Sequence, residues 1–178
     1  MRESELIKSL RSVRQFSERA IPDEVLLDVL DAGRWTGSAK NTQPWELIVV
    51  KNRGSLEALA NCGRYAGHLA TATLAIALVM RGDDASSLMD EGRLMQNLML
   101  AAWAHGVGSC IASIYPQDNE QRARELLGIP PDRHLRTMLS IGYPAGPHAL
   151  RLPENAPIPR GRRPMAEIVS WERLGTGR

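Results

Sequence analysis

The chain has 178 residues, is 43% hydrophobic and carries 22 Lys plus Arg against 20 Asp plus Glu, a formal net charge of +2. That length predicts one core-forming domain over 1–178, and the near-neutral balance excludes a bulk polyanion surface, so no nucleic-acid partner is expected and any basic site must be local. Cys62 and Cys110 form no CxxC pair, nothing N-terminal resembles a signal peptide, and the most apolar run, Leu69 to Met80, is short of the roughly 18 to 20 residues that span a bilayer, so a cytoplasmic protein with no membrane partner is expected.

In chain order, Glu3 to Leu10 is a short helix candidate. A second helix lies in "IPDEVLLDVLDAGRW", with Pro22 near its first turn, Asp23 and Glu24 beside it, an apolar face of Val25, Leu26, Val29 and Leu30, and Gly33 as a stop. "WELIVVK" from Trp45 to Lys51 predicts a strand, a small helix follows over Ser55 to Ala60, and the apolar run ending at Met80 predicts a core strand. From Ser87 the period becomes helical: Leu94, Leu98, Ala101 and Ala102 recur at spacings of three and four, and His105 with Gly106 supplies a cationic last turn and a C′ glycine. Met95, Met99, Leu100 and Trp103 make this helix apolar all round, which predicts burial in a domain centre or a subunit interface. "GSCIASI" predicts a third strand, "DNEQRARELLG" a helix stopped by Gly128, and "RTMLSIGY" a fourth strand. An extended, proline-rich arm over about 144–178 then leads to a short helix in "PMAEIVSW". This order indicates a layered α/β or α+β domain.

Several chemistries lack their motif. In "GVGSCI" Ile111 stands where a dinucleotide fingerprint needs its third glycine, and the segment follows a helix instead of opening one. There is no GxxxxGK[ST], HExxH or GxSxG, and the four histidines are scattered, so metal and triad chemistry have no support and no catalytic side chain is expected. Two segments are positively informative. "LRSVRQF" from Leu10 to Phe16 gathers two guanidiniums and a hydroxyl, donors suited to bidentate capture of a phosphate or carboxylate; alone it reads more readily as a solvated helix end with Arg14 paired to an acid such as Glu18. "SAKNTQPW" from Ser38 to Trp45 sets two amides before a strand, able to donate and accept against a planar heterocycle, or to form a plain polar turn.

Taken together, RSxR in "LRSVRQF", NxQPW in "NTQPWELIVV", the central "DEGRLMQNLMLAAWAHGVGSC" and the "GRRPMAEIV" tail resemble the FMN-dependent nitroreductase family, in order and over nearly the whole chain. The resemblance implies an α+β three-layer sandwich with a mainly antiparallel central sheet flanked by helices, and an interlocked homodimer with FMN at the interface. It implies that Arg11, Ser12 and Arg14 bind the FMN phosphate and ribityl chain, with Arg162 and Arg163, and Arg160 as a further candidate, closing around the same phosphate. Ser38, Asn41 and Gln43 would contact flavin, commonly that of the other subunit, and Ile111, Ala112 and Ser113 would lie against the isoalloxazine near N5. The implied activity is ping-pong hydride transfer from NAD(P)H through the flavin to a nitroaromatic, quinone or similar electron-poor small molecule. The alternative is a flavin-binding protein of the same fold with a storage role or a specialised reaction such as dehalogenation or flavin fragmentation. Two departures stand out: Leu10 occupies the place of a first arginine in many members, and Ser113 the place of an acidic residue in some. Arg14 is the foremost candidate for the cation beside flavin N1 and O2, Arg64 a remoter one, while Cys110 reads as a small core residue.

Overall fold

The computed structural model describes residues 2–152 and 155–175. Its regular elements are α1 (Glu3–Ser9), α2 (Asp23–Arg34), β1 (Trp45–Val50), α3 (Arg53–Ala60), β2 (Leu74–Met80), α4 (Ala85–Ala104), β3 (Gly108–Ser113), α5 (Gln117–Leu127), β4 (His134–Gly142) and α6 (Met165–Ile168). The four strands pair antiparallel throughout in the order β1-β2-β4-β3.

Every side chain of β2 is buried, and the period of two divides them between two cores. Leu74, Ile76 and Leu78 meet Leu26 and Val29 of α2 and Leu94, Leu98 and Ala102 of α4. Ala75, Ala77 and Val79 face the other way, onto Leu56 and Leu59 of α3 and Ala123 of α5. Each large aliphatic side chain so enclosed contributes about 1.5–3 kcal/mol relative to exposure. The result is a helix–sheet–helix sandwich, the expected α+β class.

Several boundaries differ from the sequence reading, each for a local reason. The apolar run does not form one strand from Leu69: residues 67–71 coil into a short 3-10 turn that sends Leu69 into the α3 core, and β2 begins only at Leu74, where its pairing with Ile141 starts. Helix α4 starts at Ala85, earlier than Ser87, because the Asp84 carboxylate accepts from the Ser86 and Ser87 amides at 2.8 and 3.1 Å, an N-cap worth about 1 kcal/mol. Helix α5 ends as expected at Gly128, which takes the left-handed φ of 65°. Helix α4 is buried along Leu94, Leu98, Met99 and Ala102, while Met95, Leu100 and Trp103 are only half-buried and Met89 is exposed. The Trp103 indole donates to Ser9 Oγ at 2.9 Å and so pins α1 to α4.

The segment after α1 crosses the ends of β3 and β4. Val13 N–H donates to Ser109 O at 2.9 Å, Ser17 N–H to Tyr143 O at 2.8 Å, and Ala145 N–H returns to Gln15 O at 3.0 Å. The approach is close enough that a Cβ on Gly108 would lie 2.6 Å from Val13 Cγ2. Only glycine admits that contact.

Candidate functional site

The crossing segment is extended, and its side chains alternate. Val13 is fully buried, while Ser12 and Arg14 on either side of it point outward. Arg11, Ser12, Arg14 and Gln15 form one wall of a groove of about 810 Å³, and the start of the arm, Pro147 to Leu152, forms the other. The arm therefore brings His148 and Arg151 opposite Arg11 and Arg14, and no carboxylate lines the groove among the described residues. Arg11 is partly committed: its Nη1 donates to the carbonyls of Lys8 and Leu10, both at 2.9 Å. The Arg14 and Arg151 guanidiniums make no hydrogen bond or ion pair with another described residue. Unpaired guanidiniums beside a hydroxyl, with no acid among them, form a donor set for a dianion.

Arg14 and Gln15 also line a second groove, of about 800 Å³, with Phe16, Tyr65, His68 and Thr71. His68 is buried, and its Nδ1 lies 2.8 Å from Ser140 Oγ, which in turn donates to Cys110 O at 3.3 Å. Its Nε2 is buried with no hydrogen-bond partner among the described residues. Burial, reinforced by the Arg14 charge, pushes the His68 pKa down against a smaller opposing pull from the Ile111 backbone, so a neutral imidazole is favoured. Burial pushes the Cys110 thiol up, with Arg14, the Ile111 backbone and Ser12 opposing. A protonated, buried thiol is a core residue and not a nucleophile, in keeping with the sequence reading.

Along β3, Ala112 is buried while Ile111 and Ser113 are exposed. Ile114 N–H bonds Arg136 O on β4 and Ser109 O accepts from Val13, so the alternation of an antiparallel ladder turns the main-chain groups of Ile111 and Ser113 toward the free edge of the sheet. Gly63 packs on the Ser113 carbonyl, where a Cβ would lie 2.3 Å from the oxygen. A strip of backbone donors and acceptors thus runs from the arginine groove along β3, suited to the edge of a planar heterocycle.

The amide loop is built differently. Lys40, Asn41 and Gln43 hold left-handed φ values of 51°, 56° and 47°, uncommon for residues with a Cβ. Ser38 Oγ accepts from Gln43 N–H at 2.9 Å, the Gln43 amide donates to Asn41 Oδ1 at 3.3 Å, and Ala39 N–H reaches Asp90 Oδ2 at 3.4 Å. This loop sits at the Trp45–Met80 end of the sheet, whereas the arginine groove sits at the Leu74–Ile141–Ser109 end. At a rise of about 3.3 Å per residue, β2 alone separates them by about 20 Å. One chain does not bring Ser38, Asn41 and Gln43 to Arg14. Nor does it bring Arg162 and Arg163, which line neither groove: Arg162 donates to the Gly161 carbonyl, and Arg163 pairs with Glu167 at 3.3 Å. Arg160 lies in the same exposed arm.

A third groove, of about 620 Å³, lies at the C-terminal end of β3 among Ser113, Tyr115, Glu120, His134 and Arg136. Behind it Glu91 is buried, its carboxyl pushed above the usual range by that burial despite Thr137 and Arg136.

The sequence reading missed Tyr65, His68, His148 and Arg151. His68 is hidden because it stands in an apolar run with no partner nearby in sequence; Ser140 lies on another strand. Arg151 stands in a proline-rich tract with nothing periodic about it.

Comparison with known proteins fits this geometry. The sequence profile of the nitroreductase family matches residues 7–71 and 60–143. A candidate NADH dehydrogenase/NAD(P)H nitroreductase of Archaeoglobus fulgidus is 35% identical over 78% of this chain and 83% of its own length. A relative given the same description in Methanothermobacter thermautotrophicus is 32% identical over 79% of this chain and 76% of its own length. Among solved structures, an FMN-dependent nitroreductase from Clostridium difficile R20291 superposes with a TM-score of 0.74 at 26% identity, covering 79% of this chain and 87% of that one. With the profile running from α1 to the end of β4 and the helix–sheet–helix sandwich in common, the chain belongs to the nitroreductase family.

Proposed function

We propose that this protein is an FMN-dependent oxidoreductase that takes electrons from NADH or NADPH and passes them to an electron-poor small molecule such as a nitroaromatic or quinone. The observation that carries the reading is the arginine groove: guanidiniums and a serine hydroxyl, with no carboxylate among the described residues, opening onto the free edge of β3. These residues fit FMN. Ser12, Arg11 and Arg14 would hold the phosphate and ribityl end, and the Ile111 and Ser113 backbone would meet the ring edge. Bound FMN supplies the redox chemistry, so no nucleophile or metal is required of the chain. Arg14 would supply a positive charge toward bound flavin, and His68, held by Ser140, would line the same groove.

Ser38, Asn41 and Gln43 stand at the wrong end of their own sheet for this site, which supports a homodimer whose loop reaches the other subunit's groove. The exposed apolar side chains of the arm, Ile158, Met165 and Ile168, support the same assembly, because more than half of each is open to solvent in one chain. Both thiols are free and buried, in keeping with a reducing, cytoplasmic setting.

The test is anaerobic mixing of the purified, FMN-loaded protein with NADH and with NADPH. Bleaching of the visible flavin band with either donor, followed by recovery on adding an acceptor, is the expected result. A band that stays unbleached with both donors removes the nicotinamide-dependent reading. It would leave the second reading, a flavin-binding protein of the same fold with a storage role or a specialised flavin reaction, which Leu10 favours by standing where many members have an arginine.

A further inference from the structure

We propose that Arg151, carried by the turn at the start of the arm, is a specificity-determining ligand for the flavin's phosphate, supplying the cation that Leu10 lacks and making the site select FMN over riboflavin. This rests on the FMN reading above and extends it to a residue in no recognised motif. Three observations converge. First, Arg151 lines the same groove as Arg11, Ser12 and Arg14, and its guanidinium has no hydrogen bond or ion pair among the described residues. Two such guanidiniums held in one groove, with no acid among the described residues that line it, repel each other, and a phosphate dianion relieves that repulsion.

Second, the turn is held in place and not merely draped there. Ala145 N–H bonds Gln15 O at 3.0 Å, Pro144 bridges Phe16, Ala149 N–H closes on Gly146 O at 3.0 Å, and Arg151 N–H on His148 O at 3.2 Å. The backbone of the arginine segment itself therefore positions the turn that carries Arg151, so little backbone ordering remains to be done on binding.

Third, the other cations are engaged. Arg11 spends Nη1 on two carbonyls at the end of α1, and the tail's Arg163 is paired with Glu167. Arg14 and Arg151 are left as the free pair, with His148 beside them on the arm. Riboflavin, which has the same ring and ribityl chain but no phosphate, gains nothing from Arg151.

The experiment is fluorescence titration of apoprotein with FMN and with riboflavin, using wild type, Arg151→Ala and Arg151→Lys, with inorganic phosphate as competitor. Arg151→Ala is expected to weaken FMN by tenfold or more, to leave riboflavin within about twofold, and to reduce competition by inorganic phosphate. Arg151→Lys, which keeps the charge but loses the bidentate fork, should fall between. Melting temperatures should coincide, because Arg151 is exposed. FMN binding in Arg151→Ala equal to wild type overturns the inference alone. Equal losses for FMN and riboflavin also overturn it, by showing that the residue shapes the groove and does not read the phosphate. A wild-type protein that binds neither flavin overturns the flavin reading and this inference with it.

Discussion

Arg14 is the residue on which the two grooves depend. It lines both, it adds to the depression of the His68 pKa, and it opposes the rise of the Cys110 thiol, so its charge is felt on the groove floor as well as at the rim. On the proposed reading, replacing it with alanine would remove a phosphate donor and a cation facing the flavin in one step. Arg14→Ala is therefore expected to release FMN on gel filtration; co-elution of full flavin with the variant would refute its place in the site. His68 makes a second prediction, in pH. Its folded pKa lies below the ordinary 6.5, so between those values the unfolded chain binds the proton that the folded chain refuses. Stability is then whole above about pH 6.5 and falls as the solution is acidified below it. His68→Asn keeps a donor toward Ser140 and cannot charge. Its melting temperature should lose less than that of wild type between about pH 7 and pH 5, and parallel losses would show that His68 is not the titrating group.

At the level of elements, the site is a consequence of how β3, β4 and the crossing segment are clamped together. Gly108 has no room for a methyl group, because Val13 is β-branched, stiff at χ1 and fully buried. Gly108→Ala should push Val13 outward, cost about 1–3 kcal/mol of stability, and shift Ser12 and Arg14 with it. The expected signature is weaker FMN binding with every arginine intact, read by titration alongside a lowered melting temperature; unchanged affinity would mean the segment tolerates the displacement. The sheet's strands and the helices were legible in the sequence because their periods of two and 3.6 are local. The arginine wall was legible because Arg11, Ser12 and Arg14 are adjacent. The opposite wall was not: Arg151 reaches the groove only through the Gln15–Ala145 and Phe16–Pro144 contacts, which join segments about 130 residues apart. The end of the apolar run misled for a related reason. Leu69 is as hydrophobic as Leu74, and only tertiary packing sends it into the α3 core instead of the strand.

At the scale of the whole molecule, the distance between the amide loop and the arginine groove becomes an argument about assembly. The strained φ values of Lys40, Asn41 and Gln43 are kept at a place where, within one chain, none of the three grooves described above is lined by these residues. Strain of about 1–3 kcal/mol per residue persists when something gains from it, and here the loop is tied to α4 through Asp90 while its amides stay exposed. If the loop serves the other subunit's groove, each site takes Arg14 from one chain and Gln43 from its neighbour. That makes a quantitative prediction. A homodimer of Arg14→Ala loses both sites, and a homodimer of Asn41→Ala/Gln43→Ala weakens both. A mixed dimer, formed by co-expressing the two variants under different affinity tags, has one site carrying both lesions and one carrying neither. Its FMN content and NAD(P)H-driven acceptor reduction should recover to about half of wild type, although neither parent reaches that value. If the loop acted within its own chain, every site in the mixed dimer would carry one lesion, and its activity would be only the average of the two parents. Recovery above that average can arise only when two chains share one site.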